Sequence, residues 1–160
     1  MHRTQIDIPE EKRREVIRIL SLRLAEAIDL GLQTKQAHWN VKGPSFIALH
    51  ELFDSVAEIV EEQTDEIAER IAALGGIAEG TLAAVSSRTQ LPAYDLTLST
   101  GKGHVKALSA ALAAFGKGVR ADIDTTDELG DAVTADLFTG VAREIDKQLW
   151  FVEAHLQAEA

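Results

Sequence analysis

Five residues in this chain combine metal-ligating side chains with spacings that fix where each one points. His50 and Asp54 lie four apart, as do Asp65 and Glu69. On a helix each such pair stacks on one face, as two ligands of one ion would. His38, twelve residues before His50, can add a further nitrogen from a neighbouring helix. Imidazole mixed with carboxylate suits Fe(II) with positions left open for an oxidant, and zinc accepts the same ligands. The surrounding stretch 51–69 holds Glu51, Asp54, Glu58, Glu61, Glu62, Asp65, Glu66 and Glu69 without one Lys or Arg. A solvated helix face usually mixes both signs, because like charges four apart cost roughly a few tenths of a kcal/mol per pair. Such a row calls for a compensating cation.

The two pairs cannot serve one ion within one chain. They are eleven residues apart, so they share the flank of one helix but sit ~16 Å apart along its axis. A two-fold mate running antiparallel would set Asp65 and Glu69 of one chain against His50 and Asp54 of the other, twice per dimer. A di-iron site inside one bundle is excluded, because it needs Glu-x-x-His pairs. The residues three before the histidines are Lys35, Ile47, Gly101 and Val152. A second acidic cluster comprises Asp122, Asp124, Asp127, Glu128, Asp131 and Asp136. Capping accounts for Asp127 and Glu128; gathered around a symmetry axis, such acids would line a pore that attracts cations.

The elements that must position these residues are helices. Three prolines, 5% aromatics and abundant Ala, Leu, Glu and Ile favour them. Pro9-Glu10-Glu11 starts a first helix that runs to about His38, and Gly43-Pro44-Ser45 breaks it. A second helix begins near Ser45 and ends at Leu74-Gly75-Gly76. Its apolar seam is Phe46, Leu49, Phe53, Val56, Val60, Ile67, Ile71 and Leu74, interrupted at Gln63-Thr64. A third long helix fits from about Gly103 to Asp122. A fourth is predicted from Thr125, which with Glu128 makes a capping box, to about Gln157. Residues 77–100 form a long connector with a short helix near Leu82–Ser87, as a bundle with one long crossover requires. The expectation is one all-α domain over residues 1–160, a four-helix bundle with a short N-terminal tail, residues 1–8.

These residues carry a family resemblance. His38-Trp39-Asn40-Val41-x-Gly43, His50-x-x-x-Asp54 and Asp65-Glu66-x-Ala68-Glu69-Arg70-x-x-x-Leu74-Gly75-Gly76 resemble the signature of Dps, the DNA-binding protein from starved cells. Thr126-Asp127, Gly130-Asp131, Val133-Thr134, Asp136, Asp146-Lys147 and Trp150 resemble its last helix. The resemblance implies a ferritin-like bundle and a hollow homododecamer with intersubunit ferroxidase sites. His38, His50 and Asp54 would come from one subunit, Asp65 and Glu69 from its mate. It further implies oxidation of Fe(II), preferentially by hydrogen peroxide rather than oxygen, and storage of ferric mineral in protection against oxidative damage. Trp39 and Trp150 match tryptophans held to intercept radicals near the site, with core packing as the alternative. Asp127 and Asp136 match a pore that admits iron, while Ala132 stands where some members carry another acid.

Composition bounds the remaining classes. The chain has 160 residues, 26 Asp+Glu against 16 Lys+Arg, a formal net charge of −10 and no cysteine. Disulfides, thiolate metal sites and a Cys nucleophile are excluded. No apolar run nears the roughly 18 residues of a membrane helix, and the N-terminus lacks the apolar core of a secretory signal, so a cytoplasmic location is expected. DNA binding is expected to be weak or absent. Lys12, Arg13, Arg14 and Arg18 are interleaved with Glu10, Glu11 and Glu15, and the C-terminus Gln157-Ala158-Glu159-Ala160 is acidic. Two alternatives remain at this level: nucleoid compaction with iron chemistry secondary, and non-redox sequestration of zinc or another divalent ion. His104 and His155 have no partner legible in the sequence.

Overall fold

The computed structural model describes residues 1–157, so Glu159 in the acidic C-terminus lies outside the described residues. Four long helices form the bundle: α1 Glu10–Asn40, α2 Phe46–Ala73, α4 Gly101–Glu128 and α5 Ala132–Gln157. A short α3, Leu82–Arg88, lies within the crossover that follows α2. Among the described residues there is no strand. The hairpins α1–α2 and α4–α5 pack most closely, and contacts of α1 with α4 and of α2 with α5 join them. Helices of 26 to 31 residues are about 40–45 Å long, so α3 and its flanks return the chain the length of the bundle.

The core is built from one stripe of each long helix. On α2, Leu49, Phe53, Val56, Val60, Ile67, Ile71 and Leu74 are buried, with Phe115 of α4 and Phe138 of α5 filling the centre. Phe46, where the sequence started this seam, is instead 41% exposed, so the inward stripe begins one turn later. Gln63 takes the interrupted position and is buried, its Oε1 without a hydrogen-bond partner.

The break between the last two helices differs from the sequence expectation. α4 continues through Thr125 to Glu128, and the Thr125 hydroxyl donates to the Ala121 carbonyl at 3.1 Å rather than capping a new helix. Gly130, at φ +85°, makes the turn. Asp131 caps α5 by accepting from the Thr134 backbone N–H at 3.0 Å. The beginning of α4 is at Gly101, with the Thr100 hydroxyl accepting from Gly103 N–H at 3.1 Å.

Residues 1–8 are docked rather than loose. The His2 N–H donates to the Gly75 carbonyl at 2.7 Å, and Ile6 and Ile8 pack against the core. Buried Arg13 donates to the Ile8 carbonyl at 3.0 Å and to the Leu74 carbonyl at 2.8 Å. The crossover is tied down as well. Asp29 accepts from Gln33 at 3.2 Å and from the Thr89 hydroxyl at 2.6 Å, while Gln33 also donates to the Pro92 carbonyl at 3.1 Å.

Candidate metal centre

His38 at the end of α1 and His50 in the first turns of α2 face each other across the α1–α2 hairpin. Their rings stack with centroids 3.7 Å apart and planes at 22°. His38 Nδ1 lies 2.8 Å from the His50 carbonyl, and His50 Nδ1 lies 2.9 Å from the His38 carbonyl. A carbonyl only accepts, so both Nδ1 atoms carry the proton and each Nε2 of a neutral ring keeps its lone pair. This is the tautomer a metal ligand requires, oriented by a hydrogen bond from its other nitrogen.

Asp54, one turn beyond His50, sits 3.9 Å from His38 Nδ1 and receives Lys35 Nζ at 2.5 Å. The hydrogen bond from Lys35, aided by its charge, holds the Asp54 carboxyl below its ordinary range. An ammonium thus stands at the carboxylate a metal would use. Lys35 is not legible from sequence spacing, since its contact joins residues 19 apart through the register of two helices.

The remaining ligand candidates lie farther along α2. Asp65 and Glu69 are exposed, and among the described residues Glu58, Glu61, Glu62, Asp65, Glu66 and Glu69 engage no Lys or Arg. A trough of about 500 Å³ beside α1 is lined by Lys35, Asp54, Glu58 and Glu61. A second, of about 690 Å³, takes in Glu58, Glu61, Glu62 and Asp65. Shared lining residues make these one acidic face running from Asp54 to Asp65. Among the described residues of a single chain, no three His, Asp or Glu side chains converge on one ion.

Trp39 and Trp150 are 67% and 61% exposed, so neither is core packing. Trp150 rests against Phe151, with centroids 4.9 Å apart. Of the proposed pore acids, Asp127 and Asp136 are exposed, and Asp136 shares a groove between α2 and α5 with Glu66 and Glu69. Asp131 departs from that set. It is 1% exposed, held by Arg70 at 2.7 and 2.9 Å and by the Thr134 hydroxyl at 2.5 Å, so its oxygens serve the fold. Burial alone would raise its pKa, but the bonds from Thr134 and Arg70 outweigh that and hold it below the ordinary value. His155 is exposed. His104 is buried and has a partner that the sequence did not disclose, the Tyr94 hydroxyl at 2.6 Å.

A bundle of four long helices, one crossover and an acidic face with free imidazole lone pairs defines a ferritin-like protein, and a ferritin-like domain profile matches residues 17–159. The chain is 47% identical over 159 residues to the DNA protection during starvation protein of Agrobacterium fabrum, covering 99% of this chain and 98% of that one. The chain belongs to the Dps family of ferritin-like proteins. Among solved structures, a tetragonal form of Mycobacterium smegmatis Dps superimposes with a TM-score of 0.94 at 34% identity, covering 99% of this chain and 96% of that one. Dps from Microbacterium arborescens in the high iron form gives 0.86 at 31% identity, with 96% and 97% covered.

Proposed function

We propose that this protein oxidises Fe(II), preferentially with hydrogen peroxide, at sites shared between two-fold-related subunits, and stores the ferric product inside a homododecameric shell. The observation that carries this reading is the half-site. Two oriented imidazoles and a carboxylate meet at one end of α2, while the unpaired carboxylates Asp65 and Glu69 stand about three turns away. An antiparallel mate joins the halves. Fe(II) is the substrate: His38, His50 and Asp54 of one subunit would bind it with Asp65 and Glu69 of the next, Lys35 giving way as the cation arrives.

Paired Fe(II) ions can deliver both electrons that peroxide needs to become water, which keeps hydroxyl radical release low. Asp127 and Asp136 would admit iron. The high iron form of the Microbacterium arborescens protein supports iron as the cargo, and zinc fits the same ligands as a competitor.

The test is anaerobic Fe(II) oxidation on addition of peroxide, followed by ultraviolet absorbance. Wild type is expected to consume about two Fe(II) per peroxide. His50→Ala, Asp54→Ala and Asp65→Ala are each expected to lose the fast phase while the assembly survives. A fast phase unchanged in any of the three would remove the site.

Protection of DNA on this reading works by removing iron and peroxide, not by coating the duplex. The basic residues near the N-terminus are largely engaged: Arg14 pairs with Glu10, Arg18 with Glu15 at 3.2 Å, and Arg13 is buried. Twelve chains would carry a net charge of about −120. No shift of plasmid mobility is expected at about 0.15 M salt, and a clear one would overturn this part of the reading.

A further inference from the structure

Tyr94, in the crossover, is the only tyrosine of the chain. Its hydroxyl lies 2.6 Å from Nδ1 of His104 on α4, and the two rings are near parallel at 20° with centroids 6.1 Å apart. His104 is 1% exposed. Burial keeps both members neutral near pH 7, raising the phenol to about 12 and lowering the imidazole. The Asn40 backbone is the group that favours the protonated ring, and Asn40 stands two residues past His38 and one past Trp39. A half-buried phenol thus faces a buried imidazole able to take its proton, under the helix end that carries the candidate metal centre.

We propose that Tyr94 is a one-electron donor to hydroxyl radical formed in the shell, with His104 as the acceptor of its proton. The proposal rests on the iron-oxidising reading above. Fe(II) that reduces peroxide by one electron gives Fe(III), hydroxide and a hydroxyl radical. Tyr94 passes one electron to that radical, which becomes hydroxide, and the phenolic proton crosses to His104 Nδ1. A neutral phenoxyl then stands beside an imidazolium. A second Fe(II) returns one electron, becoming Fe(III), and the imidazolium returns the proton. The net result equals the paired two-electron reaction, so the pair recovers events in which only one iron had reacted.

A purely structural tether between the crossover and α4 would give none of these species. The first arm is freeze-quench electron paramagnetic resonance of the assembled protein after anaerobic Fe(II) loading and peroxide. A tyrosyl signal is expected, narrowed when the protein contains ring-deuterated tyrosine, a label that leaves folding untouched. Tyr94→Phe should abolish it. His104→Gln should lower its yield several-fold with the initial rate of Fe(II) oxidation unchanged. Rapid Fe(II) oxidation with no tyrosyl signal would overturn the proposal.

The second arm needs no iron: the protein is oxidised by radiolytically generated azide radical, and phenoxyl formation is timed in H2O and D2O. Slower formation in D2O and in His104→Gln is expected. Insensitivity to both would overturn the proposal whatever the protein does with Fe(II). Failure of Fe(II) oxidation with this arm intact would overturn the ferroxidase reading and, with it, the source of the radical.

Discussion

Asp54 is contested by two cations. Lys35 Nζ occupies its Oδ1 at 2.5 Å, and on the proposed function a metal held by His38 and His50 would draw on the same carboxylate. Both side chains are about 40% exposed, so water screens their attraction and the pair yields readily. Replacing Lys35 by Met removes the competitor and leaves the aliphatic stem. Calorimetric titration of Zn(II), a redox-silent stand-in for Fe(II), should then show affinity about two- to fivefold tighter. Unaltered or weaker binding would mean that the ammonium does not compete. Proton titration by NMR gives a second readout, because Asp54 should lose its acid shift in Lys35→Met. Spacing made one helix face for His50 and Asp54 legible in the sequence. The two histidine–carbonyl bonds were not, since they need α1 and α2 brought to one register. The exposure of Trp39 and Trp150 was equally hidden: an aromatic in an amphipathic helix reads the same whether it faces the core or a missing neighbour.

The α4–α5 junction is where local sequence signals competed. Thr125-Thr126-Asp127-Glu128 has the pattern of a capping box, but a box is only needed where backbone N–H groups lack partners. Here α4 runs on, and the Leu129 and Gly130 N–H groups bond back to Thr125 and Asp127. The decisive residue is Gly130 with its positive φ, and Asp131 then both caps α5 and pairs with Arg70 of α2, 13% exposed. Asp131→Ala should cost about 2–4 kcal/mol in urea denaturation, the sum of a lost cap and an uncompensated, mostly buried guanidinium. Asp131→Asn keeps the cap and isolates the charge. Because the folded pKa of Asp131 lies below the ordinary value of 3.8, its charge stabilises above that value and the benefit fades as pH falls through the folded pKa. The gap between wild type and Asp131→Asn should therefore be largest near neutrality and close below about pH 4. A gap that widened in acid would show the ion pair to be misassigned. The four long helices were legible because seams of 3.6-residue period persist over many turns, whereas a boundary rests on two or three residues.

At the scale of the assembly, a single chain is incomplete in two respects. Leu32 and Trp39 on α1 and Ile47 on α2 are 53%, 67% and 59% exposed, apolar surface that a monomer has little reason to show. The acids from Glu58 to Glu69 likewise face solvent with no basic partner among the described residues. Both are satisfied if a second copy covers α1–α2 and a metal ion binds between the copies.

Complementation tests this arrangement directly. His50→Ala damages the histidine half-site and Asp65→Ala the carboxylate half-site. In a mixed dimer one interface then combines two damaged halves and the other combines two intact halves. Equal amounts of the two variants, unfolded together and reassembled, should form mixed dimers in about half of all pairings, with one working site in each. The mixture should therefore recover about one quarter of the wild-type rate of peroxide-driven Fe(II) oxidation, although each variant alone has lost its fast phase. A site contained within one chain predicts no recovery at all, because every chain in the mixture carries a lesion. Reassembling each variant with itself controls for refolding, and light scattering checks whether the proposed shell of twelve chains has formed.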